Sequence, residues 1–269
     1  MLVVALSTLL AGILALGAAT LAGTAHASRA TEPSSYPKPT IVLVHGAFAD
    51  SSGWNAVAGK LMHDGYEVIA FSNPLRNPQA DGEYLRQFLS TISGPIVLVG
   101  HSYGGAVITN GATGNPHVKS LVYVTAYALD QGESVSAAND LGGGHTNVTN
   151  HLVVRPYPGA PAGDGDAYID PAWFHRLFAQ DLPRSTTDLM GATQRPGALG
   201  ALVTPSGTPA WKTIPSWYLV AKQDRIIPPE AERVMAARAH AKTVSINSSH
   251  VAMMSHPGVV VELIKAAAH

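Results

Sequence analysis

Six short runs rich in β-branched and aliphatic residues recur along the chain: TIVLVHG, YEVIAFS, GPIVLVGHS, VKSLVYVTAY, PSWYLVA and KTVSIN. Continuous apolar runs of this length suit strands covered on both faces, because a strand with one wet face alternates polar and apolar residues. Between them lie segments of helical character. WNAVAGKLMHDG, with Gly65 placed to end it, is followed by ADGEYLRQFLSTI and GGAVITNGA. PPEAERVMAARAHA and HPGVVVELIKAAA come later, and each opens with prolines that suit a first helical turn. Strands and helices in alternation form a parallel sheet through right-handed crossovers, with helices on both faces. The chain is therefore expected to be α/β, with a mostly parallel sheet of about six strands flanked by helices.

One stretch breaks the alternation. From about Tyr127 to Gly207 the chain carries LGGGH, RPYPGAPAGDGD and scattered aromatics, with no clean strand run. It reads as an insertion over the strand ends, 127–207, dividing a core into 40–126 and 208–269. Its two best helices, around DPAWFHRLFAQDL and RSTTDLMGATQ, carry Trp173, Phe174 and Phe178. These rings are candidates to face a substrate, and equally to close the insertion's own small core, since periodicity cannot separate the two.

The first 27 residues contain no charged side chain and close on Ala25-His26-Ala27, the small-x-small pattern after which signal peptidases cut. They are expected to be an export signal cleaved after Ala27, which makes the protein secreted or periplasmic and leaves it no membrane partner once the signal is removed. The basic n-region of such signals is missing, the first positive charge being Arg29. An uncleaved anchor is the competing reading. Residues 28–39, SRATEPSSYPKP, have the composition of a disordered lead-in.

Net charge is −1 and only 13% of residues are charged, against 46% hydrophobic. That supplies a large core and too little basic charge for a phosphate-binding surface, so nucleic acid is excluded as an expected partner. With no cysteine, disulfides, thiol nucleophiles and thiolate metal sites are excluded too. His145 and His151 give only a weak metal-site pattern. No metal or organic cofactor is expected.

The third run leads into GHSYGG, residues 100–105. G-x-S-x-G after a strand and before a helix is the nucleophile-elbow pattern: a sharp turn exposes the Ser102 oxygen at the carboxyl edge of the sheet, where ligands of open parallel sheets bind. The helix beginning there aims free N–H groups at any negative charge forming nearby, Tyr103 N–H first. A serine hydroxyl is a poor nucleophile without a base, and the base needs an orienting carboxylate. Asp224 follows the run PSWYLVA and His250 follows KTVSIN, so serine, acid and histidine stand at three strand ends in the chain order this architecture uses. His256 and Asp130 are the rivals. His256 precedes Pro257 and reads as a helix lead-in, whereas Asp130 follows the fourth strand and its loop leads less directly to the histidine. A second oxyanion donor is expected from the loop after the first strand: Ala47 N–H, reached through Gly46, with the Phe48 ring as a candidate wall of the acyl pocket and His45 as a structural anchor.

VLVHGAFADSSGW, GHSYGG, AKQDRIIPPEA and HVAMMSHP together resemble the α/β-hydrolase superfamily, in particular the small esterases related to plant methylesterases and hydroxynitrile lyases. The resemblance runs from about residue 40 to the end and is weakest in the insertion. It implies the α/β-hydrolase fold with a helical cap, a catalytic Ser102, Asp224 and His250, and oxyanion donors at Ala47 and Tyr103. The lyases typically carry Thr where Gly46 stands, Thr-Ser-Cys around the nucleophile and Lys after the histidine; this chain has Gly46, His101, Tyr103 and Val251 there. Val251 offers no positive group to receive cyanide, so hydrolysis of a small-molecule ester through an acyl-enzyme is the expected reaction. Related triad chemistry (acyl transfer, perhydrolysis, lactone or carbon–carbon bond hydrolysis) and a non-enzymatic ligand binder on the same fold are the alternatives.

Overall fold

The computed structural model describes residues 38–269. The expected signal segment, and the lead-in up to residue 37, lie outside the described residues. In chain order the elements are β1 Thr40–Val44, α1 Asn55–His63, β2 Val68–Phe71, α2 Pro78–Leu89, β3 Ile96–Ser102, α3 Tyr103–Gly111 and β4 Val118–Ala126. There follow α4 Val135–Ala138, β5 Leu152–Arg155, β6 Asp166–Ile169, α5 Pro171–Phe178, α6 Arg184–Ala192, β7 Gly197–Ala198 and α7 Leu199–Val203. The chain closes with β8 Ser216–Ala221, α8 Pro229–Arg238, β9 Lys242–Ile246, α9 Ala252–Ser255 and α10 Pro257–Ala267.

All six expected strands form, in one parallel sheet ordered β2-β1-β3-β4-β8-β9. Chain direction reverses once: β1 to β2 runs one way across the sheet, and every later step runs the other. Right-handed crossovers then put α1 on one face and α2, α3 and α8 on the opposite one. α10 returns to pack on α1, β4 and β8. The reversal opens a crevice beyond the carboxyl ends of β1 and β3.

Burial follows position in the sheet. β1, β3 and β8 are buried throughout, and β4 at all positions but Lys119, while β9 is largely exposed and β2 partly so. The expectation of two covered faces fails at these two edges because the helix layers extend only partly over the outer strands. Lys242 at the start of β9 suits that place, since charge on an edge opposes pairing with other chains.

The insertion contains the two expected helices, α5 and α6. It also contains what its sequence did not announce, a small antiparallel sheet ordered β5-β6-β7. Its strands are four, four and two residues long, and Val153 and Val154 of β5 are exposed. Strands so short carry too few residues for an apolar run to emerge. Among the described residues no helix is long and apolar enough to cross a membrane.

α3 sits so close to β1 that a Cβ on Gly104 would lie 2.3 Å from Val44 O. Glycine is required there by contact with a backbone that cannot move aside. Gly59 in α1, by contrast, has open space around its Cβ position. Gly104→Ala is expected to lower unfolding free energy by about 3 kcal/mol, as overpacked cores do. Gly59→Ala should raise it by about 0.5–1 kcal/mol through helix propensity. Urea denaturation of the two variants checks both signs.

Candidate active site

Ser102 ends β3 and heads α3 with φ 54° and ψ −127°. A positive φ is strained for a residue with a Cβ, and here it is imposed from both sides. Ser102 O accepts from Tyr127 N at 3.1 Å, tying the turn to the end of β4. On the other side the loop after β1 presses in: a Cβ on Gly46 would lie 2.6 Å from Ser102 Cβ and 2.9 Å from Tyr103 N. The contact brings the Ala47 and Tyr103 backbones together beside the serine. Neither N–H donates to an acceptor among the described residues.

His45 fixes that loop. Its Nδ1–H donates to Gly46 O at 3.0 Å, its Nε2 accepts from Asn73 N at 3.0 Å, and Asn73 Nδ2 donates to His45 O at 2.9 Å. With Nε2 taken as an acceptor the ring is neutral. Burial lowers its pKa to match.

At the ends of β8 and β9, His250 Nδ1–H donates to Asp224 Oδ2 at 2.6 Å, and both side chains are wholly buried. Asp224 Oδ1 accepts from Ile226 N at 2.7 Å and Ile227 N at 3.0 Å. Three donors thus converge on one carboxyl. Because Nδ1 carries the proton, His250 Nε2 keeps its lone pair. That atom is buried without a partner, so the Ser102–His250 hydrogen bond is not made in this structure. His250 is held from behind instead: its carbonyl accepts from His101 Nε2 at 2.9 Å and from Thr125 Oγ1 at 2.8 Å. The insertion adds Asp181, which accepts from Ser249 N at 2.8 Å, and the Phe178 ring, 5.1 Å from the imidazole.

The two rivals stand elsewhere. Asp130 pairs with Lys212 Nζ at 2.8 Å on the surface, and that contact holds its carboxyl below the usual range. His256 precedes α10 as its N-cap, with Nδ1 2.9 Å from Ser255 Oγ.

Ser102, Ala47, Phe48 and Tyr103 line a narrow cavity. Its remaining walls include Tyr127, Val135, Val148, Leu152, Leu202 and Ile226, and no lining side chain is charged. Tyr127 O–H donates to Asn139 Oδ1 at 2.9 Å, orienting the one amide on the wall. Of the rings expected to face substrate, Phe48 is at this cavity. Trp173, Phe174 and Phe178 do not line it. Trp173 stacks on His151 at 3.7 Å over a separate surface hollow, Phe174 is buried against Phe178, and Phe178 is spent on His250 and Phe48. Large aromatics serve the joint between insertion and core, whereas medium aliphatics from α4, β5 and α7 shape the cavity. Among the described residues no three His, Asp or Glu side chains converge as a metal site.

Residues 41–263 match the alpha/beta hydrolase family. The alpha/beta hydrolase nvfD of Aspergillus novofumigatus is 27% identical over 252 residues, covering 86% of this chain and 97% of that protein. The carbendazim hydrolyzing esterase of a Nocardioides species is 34% identical over 109 residues, which is 36% of this chain and 45% of that esterase. Among solved structures, polyneuridine aldehyde esterase superposes with a TM-score of 0.74 at 19% identity, over 87% of this chain and all of that one. With the fold, the serine at its turn and the matched span in agreement, the chain belongs to the alpha/beta hydrolase family.

Proposed function

We propose that the protein is a serine esterase acting through Ser102, His250 and Asp224. Its strongest support is the buried His250 ring, whose Nδ1 is committed to Asp224 while Nε2 stays free, at the same sheet edge as a strained serine. A rotation of the Ser102 side chain toward Nε2 starts the reaction. His250 takes the hydroxyl proton as the oxygen attacks the ester carbonyl, and the tetrahedral oxyanion is met by the N–H groups of Ala47 and Tyr103. Asp224 stabilises the imidazolium. His250 returns the proton to the leaving alcohol as the acyl-enzyme forms. Water, deprotonated by His250, then attacks that ester, and Ser102 leaves with the proton restored.

The substrate reading follows from the walls. An anion entering a cavity with no counter-charge loses its hydration without compensation, so a neutral, largely apolar ester fits. That agrees with relatives whose names include a carbendazim hydrolyzing esterase. The first 27 residues retain their reading as an export signal, supported by the Ala25-His26-Ala27 pattern.

Ser102→Ala should lower turnover of p-nitrophenyl esters by roughly 10⁴-fold or more and abolish labelling by a fluorophosphonate. Equal rates in variant and wild type would rule the esterase out. Neutral acyl esters should exceed the half-esters of dicarboxylic acids of equal length by about a hundredfold in kcat/KM; parity would show that the substrate binds elsewhere. Amino-terminal sequencing of exported protein should begin at Ser28.

A further inference from the structure

Glu232 lies in the first turn of α8, and its side chain is fully buried. Oε2 accepts from Ala221 N at 2.9 Å. Oε1 has no donor among the described residues. The Glu232 carboxyl neighbours that of Asp224 through Ala221, whose N–H donates to Glu232 and whose carbonyl accepts from Asp224 N at 3.2 Å, and the two acids interact. Two buried carboxyls meet in this way when a proton lies between them, because two adjacent anions in a dry site repel strongly.

The surroundings decide which group carries it. Asp224 already accepts from three donors, two backbone amides and His250 Nδ1–H. Glu232 has a single amide. Arg233, on the same helix, is half exposed and reaches toward Glu230 at 3.5 Å. From β8 comes Tyr218, and from the end of β4 comes Tyr127. Both phenols donate elsewhere, to Ala126 O and Asn139 Oδ1. Burial, then the Asp224 charge, drives Glu232 well above the usual carboxylate range. Both phenols are pushed up as well, and stay neutral.

We propose that Glu232 is a positioning residue, which holds its proton in the working protein and donates it to the Asp224 carboxylate as a fourth hydrogen bond. It thereby fixes the carboxylate that orients His250 and keeps the buried acidic pair at a single negative charge. This inference rests on Asp224 being the acid of the proposed triad. A glutamine can make the same two contacts, accepting from Ala221 N and donating to Asp224. A methionine of similar length can make neither. Without that donor Asp224 attracts a proton on His250 more strongly, so the base is blocked up to a higher pH.

The test is kcat against pH for the full chain with Glu232→Gln and Glu232→Met, using the best p-nitrophenyl ester. Glu232→Gln should keep kcat within about threefold of wild type. Glu232→Met should lose about tenfold or more in kcat with little change in KM, and its acid limb should move up by about half a pH unit or more. The inference is overturned if folded Glu232→Met keeps the wild-type kcat and limb, or if Glu232→Gln falls as far as Glu232→Met. Thermal unfolding of wild type and Glu232→Gln tests the proton without catalysis. The folded chain holds a proton that the unfolded chain releases in the ordinary carboxylate range, so wild-type stability relative to the glutamine variant falls as pH rises above that range. The gap in Tm should widen by about 3 °C or more between pH 5 and pH 8. A constant gap overturns the inference even if Glu232→Met does not fold. Wild-type turnover unaffected by Ser102→Ala would instead overturn the esterase reading, and leave the widening gap as a statement about the carboxyl pair alone.

Discussion

Ser102 holds a left-handed backbone between a buried strand and a buried helix, and the rest of the site is arranged around keeping it there. Such a conformation persists only where its surroundings over-determine it. Tyr127 N ties the Ser102 carbonyl to β4, and Gly46 lets the loop after β1 close against the serine without a side chain between them. One strained residue thus locks three adjacent strands at their carboxyl ends. Its side chain is pushed out of the turn, and two unengaged N–H groups are left beside it.

The other half of the site answers to burial rather than strain. An imidazole and two carboxyls are removed from water at the ends of β8 and β9, where unpaired charge is expensive. The structure meets this with directed donors: two amides and a ring N–H on Asp224, one amide on Glu232, and a ring N–H and a hydroxyl on the His250 carbonyl. His101, the residue before the serine, therefore connects the two halves. Its own ring is kept neutral by burial and by the neighbouring His250.

Much of this was legible in the chain because it depends on short-range order. Six aliphatic runs announced six strands, and Ser102, Asp224 and His250 could be placed at strand ends once the α/β alternation was recognised. The insertion was harder. Its strands are too short to show a period, and its aromatics sit on helices whose apolar face could have met either the core or a ligand. Trp173 and Phe174 read alike in sequence; one stacks on the surface and the other is buried. His101, Thr125, Asp181 and Glu232 carried no signal of their own, since each acts on a partner from 8 to 149 residues away.

By itself the sequence determined the sheet, the turn at Ser102 and the order of the three candidate groups, because periodicity and turn chemistry are properties of neighbouring residues. Tertiary structure alone decided which rings wall the cavity, which histidine supports another, and which of two buried carboxyls is left to take a proton. Those outcomes depend on which side chains meet across the fold and on how much water is excluded where they do.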